Sequence, residues 1–173
     1  MPHHRRQDLL AAATAFCEAF AKKKPLEEIM GHFAAERDRE AGEESGGAVR
    51  ISAFEYGLPC LAPFLGRKFE GMEGVRRYFG LLADCLAYED MRFGDYVVDA
   101  VAGRVGVKGS ARFTWIEGEK GDGEGSWDEV FTYALGMVQQ DGVWKVQSYE
   151  IWADSGAAYL ARTGELGRVR RGV

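Results

Sequence analysis

The chain has 173 residues, of which 46% are hydrophobic and 28% are charged, and its formal net charge is −5. This length and composition are typical of one globular domain and exclude global disorder. The negative charge argues against a nucleic-acid ligand, because a phosphate backbone would be repelled. Three cysteines without a CxxC spacing and three histidines form no metal-binding pattern, so we expect no metal site.

No stretch of 18 apolar residues is present, so we predict that the chain does not span a membrane. The apolar residues after the basic start are interrupted by Glu18 and followed by three lysines, which argues against a secretory signal. We therefore expect a cytoplasmic protein. Residues 161–173 are rich in arginine, and we predict a frayed, solvated tail there.

The period of the hydrophobic pattern changes about half-way along the chain. Apolar residues at helical spacing predict three helices in the first half, with one short strand between them. Alternating apolar and polar residues predict four strands in the second half and a last short helix that Asp154 caps. The predicted helices are residues 9–23, 25–33, 72–86 and 157–161, the predicted strands are 50–56, 91–99, 104–116, 126–139 and 143–153, and the predicted loops are 34–49 and 117–126. Helices followed by an antiparallel meander predict a single α+β domain, in which a curved sheet wraps around helices.

In strands 104–116 and 126–139 the odd-numbered positions are the more apolar ones, so they are predicted to face the helices. Glu129 breaks this pattern. An inward carboxylate that is dry and unpaired is costly, so Glu129 is predicted to be partnered, neutralised or next to a wet cavity. In a dry cavity, burial would raise its pKa, and Glu129→Gln would leave stability near neutral pH unchanged or improved.

The last predicted strand carries apolar residues on both faces. Trp144, Val146 and Trp152 occupy even positions, whereas Tyr149 and Ile151 occupy odd ones. An apolar outer face rarely stays exposed on a soluble monomer. We therefore predict a homodimer formed through the outer face of the sheet.

Two segments resemble the NTF2-like superfamily, in particular its SnoaL-like branch. Residues 69–79 carry an FxGxxxVRxYF phrase at the start of a helix, and DGVW at residues 141–144, followed by Asp154, resembles the family's DGxW…D ending. The likeness covers residues 8–160. It implies a cone, in which a strongly curved antiparallel sheet wraps around the N-terminal helices and leaves a pocket at its open end. It leaves the activity open, since isomerases, dehydratases, cyclases and non-enzymes share this scaffold.

A more distant likeness to the scytalone dehydratases of this superfamily concerns the last strand. It implies that Tyr149 and Ile151 face the pocket and that Trp152 faces outward. It also implies that Trp115 lies near the position of the dehydratases' catalytic histidine. The predicted sheet of this chain has no histidine, so a histidine-based dehydration mechanism does not carry over.

Glu129 is the leading catalytic candidate, because a buried carboxyl with a raised pKa is a usable general acid or base. The alternative is a structural carboxylate in a salt bridge with an arginine such as Arg112. Asp95 also faces inward if the odd-numbered residues of its strand point towards the helices. Asp95 and Glu129 would then act as a pair, one as the general acid and the other as the general base. The alternative for Asp95 is a solvated strand residue.

The remaining candidates are aromatic or apolar. Tyr133 and Tyr149 would donate a hydrogen bond to a developing enolate or carbonyl oxygen, or else pack in the core. Aromatic residues on the inner face would stack on a flat ligand, or else form an apolar wall. The predicted catalytic set is Glu129, Asp95 and Tyr133, and the predicted ligand-binding set is Trp115, Phe131, Tyr149, Ile151 and Phe54.

Two functions fit these residues. The first is a cofactor-free isomerase, cyclase or dehydratase that acts on an apolar polyketide- or terpene-like metabolite by general acid/base chemistry. The second is a non-catalytic ligand-binding or dimerisation domain of the same fold. Two titratable groups that converge in the pocket would favour the enzyme, whereas a single satisfied Glu129 would favour binding.

Overall fold

A computed structural model describes residues 2–37, 48–116 and 125–172. Its helices lie on one face of a six-stranded sheet. The helices are α1 (Pro2–Ala21), α2 (Leu26–Met30), α3 (Gly71–Cys85), α4 (Ser155–Arg162) and α5 (Leu166–Arg171). The strands are β1 (Ser52–Tyr56), β2 (Lys68–Glu70), β3 (Leu86–Asp99), β4 (Arg104–Trp115), β5 (Ser126–Gln140) and β6 (Val143–Trp152).

The sheet has the order β2-β1-β6-β5-β4-β3. Strands β3 to β6 form the predicted antiparallel meander, and β1 joins it by a parallel pairing with β6. The predicted α+β class is confirmed. The sequence did not predict β2, because three residues at a sheet edge are too short to show an alternation.

The two long helices pack their apolar sides on the concave face of the sheet. Leu9 and Phe16 of α1 are fully buried, and so is Val75 of α3. Burial of each such side chain is worth about 2 kcal/mol. Within the described ranges, no helix is long and apolar enough to cross a membrane.

The pairing register shifts twice in β3, between Glu89 and Arg92 and between Gly94 and Val97. Each shift is a β-bulge, which inserts an extra residue and turns the following side chains to the other face. Asp95 is at the second bulge with a φ of +52°, a conformation that aspartate tolerates better than most residues. The prediction that the odd-numbered residues of this strand face inward is therefore wrong.

A third register shift, opposite Gly136 and Met137, resolves the ambiguous last strand. On one side of the shift Val146 is buried, and on the other side Tyr149 and Ile151 are buried. The prediction that Val146 belongs to the outer face is wrong, because the bulge reverses the parity within β6.

The arginine-rich tail is not frayed as predicted. Gly164, with a φ of +72°, turns the chain after α4, and Leu166 at the start of α5 is buried. The predicted loop 117–126 lies almost wholly outside the described residues. For the predicted loop 34–49, the structure describes only the ends, where the backbones of Arg37 and Val49 exchange two hydrogen bonds.

Candidate ligand-binding cavity

A cavity of about 300 Å³ lies between the concave face of the sheet and helices α1 to α4. A volume of this size is at the lower end of the range for small-molecule sites, and its wall is mostly apolar. Aromatic rings form much of this wall, among them Phe79, Trp115, Trp127, Phe131, Tyr133 and Tyr149. Two buried carboxyl groups, one on β1 and one on β5, interrupt the apolar lining.

The carboxyl group on β1 is that of Glu55. Its neighbour Ala53 also faces inward, and only 8% of Glu55 is exposed. The Tyr78 hydroxyl of α3 donates a hydrogen bond of 2.6 Å to Glu55 Oε2. Burial raises the pKa of Glu55 to about 7, the hydrogen bond from Tyr78 opposes that rise, and the charge of Glu129 adds to it. Glu55 therefore changes its protonation state near neutral pH.

The carboxyl group on β5 is that of Glu129, which is 7% exposed. Trp127 Nε1 donates to its Oε2 at 2.5 Å, and the backbone N–H of Asp154 donates to its Oε1. Burial raises the pKa of Glu129, and both hydrogen bonds oppose that rise. The alternative of a salt bridge with Arg112 is wrong, because Arg112 pairs with Asp128 at 3.3 Å instead.

Three buried tyrosines complete the polar part of the cavity. Burial is the first cause that raises the pKa values of Tyr78, Tyr133 and Tyr149 above the usual range. The rings of Tyr133 and Tyr149 meet edge to face with centroids 4.8 Å apart, and a hydrogen bond joins their side chains. All three phenols stay protonated, but the Tyr78 proton is donated to Glu55 and one proton is used between Tyr133 and Tyr149, so this pair has one O–H left for a ligand.

The wall near α4 is held by the tryptophan of β4. Trp115 Nε1 donates to the carbonyl oxygen of Ala158 at 2.7 Å, and the Arg162 guanidinium lies 5.1 Å above the Trp115 ring.

Phe131 lies over Gly109, where an added Cβ would be only 2.2 Å from the ring. Gly109 therefore allows the Phe131 ring to lie against the sheet.

The structure brings together most of the predicted ligand-binding residues. The cavity lining contains Trp115, Phe131, Tyr149 and Ile151. Phe54 is not in that lining, since it points to the opposite face from Glu55 and contacts the Tyr56 ring with centroids 4.7 Å apart. The inward position predicted for Phe54 is wrong because the phase of β1 is set by its pairing with β6.

Of the predicted catalytic set, Glu129 and Tyr133 line the cavity and Asp95 does not. The Asp95 side chain is 77% exposed, and its Oδ2 lies 3.6 Å from Lys108 Nζ. The β-bulge at this residue turns it outward, so it forms no pair with Glu129. Sequence reasoning gave Glu55 only as a residue of the pocket mouth and left it out of the catalytic set, although Ile51 and Ala53 have the same parity and are apolar. In the described part of the chain, no group of three or more metal-ligating side chains is present.

Comparison with known proteins identifies the fold. No family model and no curated protein sequence matches the chain. An NTF2-like protein of unknown function from Burkholderia pseudomallei matches with a TM-score of 0.63 at 14% identity, over 90% of this chain and 98% of that one. TerC, co-crystallised with polyporic acid, matches with a TM-score of 0.61 at 14% identity, over 87% and 94%. A ketosteroid isomerase-like protein from Erwinia carotovora atroseptica matches with a TM-score of 0.55 at 12% identity, over 86% and 95%.

These similarities establish the NTF2-like fold for this chain. They confirm the α+β cone expected from the sequence, with its curved sheet around helices. Identities of 12 to 14% carry no activity from one protein to another.

Proposed function

We propose that the protein binds a small, largely apolar polyketide- or terpene-like molecule in the cavity and transfers a proton on it, as a cofactor-free isomerase, cyclase or dehydratase. The observation that carries this proposal is Glu55, a buried carboxyl whose pKa is raised to about 7. A group with this pKa accepts and returns protons near neutral pH, which general acid/base catalysis requires. Glu129, the second carboxyl of the cavity, adds to the support.

The proposed roles follow from the hydrogen bonds. Glu55 is the proton-transfer group, and Tyr78 orients it through the bond to Oε2. The Tyr133–Tyr149 pair donates its one remaining hydroxyl proton to the oxygen on which negative charge develops. Both oxygens of Glu129 already accept an N–H, so this residue is the weaker base of the two carboxyls.

The neighbours in structure support a small-molecule pocket. TerC was co-crystallised with polyporic acid, and another neighbour is described as ketosteroid isomerase-like. Trp115, Phe131, Tyr149 and Ile151 are the proposed ligand contacts in this chain, because their side chains line the cavity.

One observation favours the non-catalytic alternative. Glu129 ties β5 to the start of α4 through the N–H of Asp154, and such a bond is fully accounted for by a structural role. A ligand-binding domain without chemistry then needs only the apolar wall. The two functions differ in whether Glu55 is needed for turnover.

A thermal-shift screen of lipophilic metabolites, followed by turnover assays on the ligands found, tests the proposal. We expect Glu55→Gln to bind the ligand but to lower kcat about 100- to 10,000-fold. The control is Asp95→Asn, which removes a carboxylate of the same sheet outside the cavity. A substrate that Glu55→Gln converts at the wild-type rate would remove Glu55 from the mechanism.

We also propose that the protein is a homodimer through the outer face of β1, β5 and β6. Tyr56 and Trp152 stack there with ring centroids 4.4 Å apart and remain 40% and 43% exposed. Val130 on β5 is 61% exposed. Light scattering should give twice the 19.1 kDa of one chain, and Trp152→Ser should lower that mass towards the monomer. A wild-type mass of one chain at micromolar concentration would contradict the dimer.

A further inference from the structure

The cavity combines aromatic rings with carboxyl groups, and the one basic side chain of its described lining, Lys24, pairs with Glu28. We propose that its ligand is an organic cation, a protonated amine on a flat apolar skeleton, whose ammonium group lies against Glu55. This inference rests on the proposed function only in requiring that the same cavity binds a small molecule. It does not require that the bound molecule reacts.

The charged groups of the described lining are three acids and one lysine. Glu55 and Glu129 are buried, and Asp154 belongs to the same lining. The lysine is Lys24, whose Nζ is 3.2 Å from Glu28 Oε2 in a pair that is about half exposed. The lining therefore favours a ligand of positive charge.

Arginine does not supply the missing cation. Arg162 is the guanidinium nearest to the wall at Trp115, but it is not part of the cavity lining and donates to the carbonyl oxygen of Leu61 at 3.1 Å. The groups that act on the pKa of Glu55 are the Tyr78 hydroxyl and the charge of Glu129, and neither is a cation. A buried charge is normally paired, so an ionised Glu55 calls for a positive partner from the ligand.

Aromatic rings in the same lining as Glu55 provide the second element of a cation site. The ring of Tyr78, which hydrogen-bonds Glu55, lies 5.3 Å from that of Phe79 and 6.1 Å from that of Tyr149. Phe79 and Tyr149 are stacked with centroids 5.9 Å apart. The negative face of an aromatic ring attracts a cation, and rings around an ammonium group form the known aromatic cage.

The charge of the ligand decides how binding depends on Glu55. An anion would add a further negative charge to a lining that already holds three acids, and a neutral molecule gains nothing when Glu55 ionises. Only a cation binds better as the carboxyl loses its proton. A cation beside Glu55 also keeps this carboxyl ionised, which is the state that the proposed general base needs.

Three probes with one skeleton test the inference: 2-naphthylmethylammonium, 2-naphthylmethanol and 2-naphthoate. Their affinities for the full chain are measured by titration calorimetry at pH 6 and pH 8. At pH 8 we expect the ammonium probe to bind at least tenfold more tightly than the alcohol, and the carboxylate probe to bind most weakly. From pH 6 to pH 8 the ammonium affinity should rise about tenfold, because the ionised fraction of Glu55 rises about tenfold. The affinity of the alcohol should change less than twofold.

Two variants identify the carboxyl responsible. Glu55→Gln should abolish the preference for the ammonium probe and leave the alcohol within threefold of wild type. Asp95→Asn should retain the preference and the pH dependence. If Glu55→Gln does not fold, the affinities of the wild-type protein for the ammonium and alcohol probes at pH 6 and pH 8 test the inference. An ammonium affinity that does not rise with pH would then overturn it.

The possible outcomes separate this inference from the proposed function. Equal binding of the alcohol and ammonium probes at pH 8 overturns the cation site and leaves a small-molecule cavity in place. A preference for the ammonium that persists in Glu55→Gln also overturns it. If no probe binds, both the cation site and the cavity assignment fail. A cation preference in a protein without turnover supports this inference and removes the catalytic proposal.

Discussion

Glu55 and Glu129 are the same residue type, line the same cavity and are both nearly inaccessible to solvent, yet their surroundings differ. Glu129 accepts hydrogen bonds on both oxygens from N–H groups, which stabilise the ionised form. For Glu55 the opposing hydrogen bond comes from the Tyr78 hydroxyl alone, and its pKa rises to about 7. Burial raises both pKa values, Glu55 lies deeper in the protein than Glu129, and the donors around each carboxyl oppose the rise. The Glu129 carboxyl consequently connects β5 with the start of α4, and we propose Glu55 as the group that exchanges its proton.

The largest expected effect is the loss of stability in Glu129→Ala. This change leaves the Trp127 indole N–H and the Asp154 amide N–H without an acceptor, so we expect a loss of about 4 kcal/mol in the free energy of unfolding. Glu55→Ala, measured by the same denaturant titration at pH 8, should lose about 1 kcal/mol or less, because the removal of a buried charge without a cationic partner offsets the loss of the acceptor for the Tyr78 hydroxyl. Equal losses in the two variants would contradict the structural difference between the carboxyls.

Glu129→Gln provides a milder version of that comparison. The glutamine keeps one acceptor oxygen but places its own NH₂ against the second N–H donor, so we expect a loss of about 1–2 kcal/mol. This differs from the unchanged or improved stability expected from strand alternation, which could not anticipate two N–H donors. The loss should appear at pH 6 and at pH 8.

The next effect is the pH dependence that Glu55 imposes on stability. Its folded pKa of about 7 exceeds the unfolded value of 4.5, so the native state holds a proton that the unfolded state has released. Stability therefore falls from about pH 4.5 to about pH 7 and is level above that, with about 3 kcal/mol lost in total. The difference between wild type and Glu55→Gln in denaturant titrations isolates this contribution. A difference that is constant from pH 5 to pH 8 would show that the pKa of Glu55 is not raised.

A smaller effect is expected for Tyr78→Phe. The Tyr78 hydroxyl lowers the pKa of Glu55 by donating to its charged form, so its removal should move that pKa upward from about 7, by roughly one pH unit. A carbon-13 NMR titration of the glutamate carboxyl carbons measures the shift. Tyr133→Phe is the control on the opposite wall and should move the titration of Glu55 less. An unchanged or lowered titration midpoint of Glu55 in Tyr78→Phe would show that the Tyr78 hydroxyl does not donate to its ionised form.

The smallest effect is expected for Asp95→Asn. Asparagine tolerates the positive φ at this bulge, and the contact with Lys108 is exposed, so stability should change by less than about 0.5 kcal/mol. Turnover and ligand affinity should equal those of the wild type. A loss of turnover in Asp95→Asn would show that Asp95 contributes to the reaction and would contradict the proposal that Glu55 alone carries the proton transfer.

The meander and its inner face could be predicted from the sequence, because alternation is a local property of β4 and β5. Trp127, Glu129, Phe131 and Tyr133 all face inward as their odd numbering predicts. The position of Glu129 in the cavity follows from the same pattern. Its partners do not, since the N–H of Asp154 reaches it only through the return of the chain after β6.

The bulges and the short strands could not be predicted in this way. A bulge reverses which residues, odd- or even-numbered, face inward. Strict alternation holds on either side of each bulge but not across it, so it assigned Asp95 and Val146 to the wrong face. Glu55 was left out of the catalytic set because β1 has five residues, too few to define a phase without knowing its partner. That partner is β6, and no local feature of the sequence indicates a parallel pairing so far along the chain.

The parallel pairing of β1 with β6 also sets the order in which the molecule assembles. Strands β3 to β6 are joined by successive hairpins and can form from neighbouring segments, whereas β1 must find a partner roughly ninety residues later in the chain. Closing so long a loop costs entropy before any contact is gained, so this pairing is expected to form late in folding. The cone is therefore built first around Glu129, and the strand that delivers Glu55 is added afterwards. Conditions that separate only β1 from β6 would leave the meander folded and remove Glu55 from the cavity.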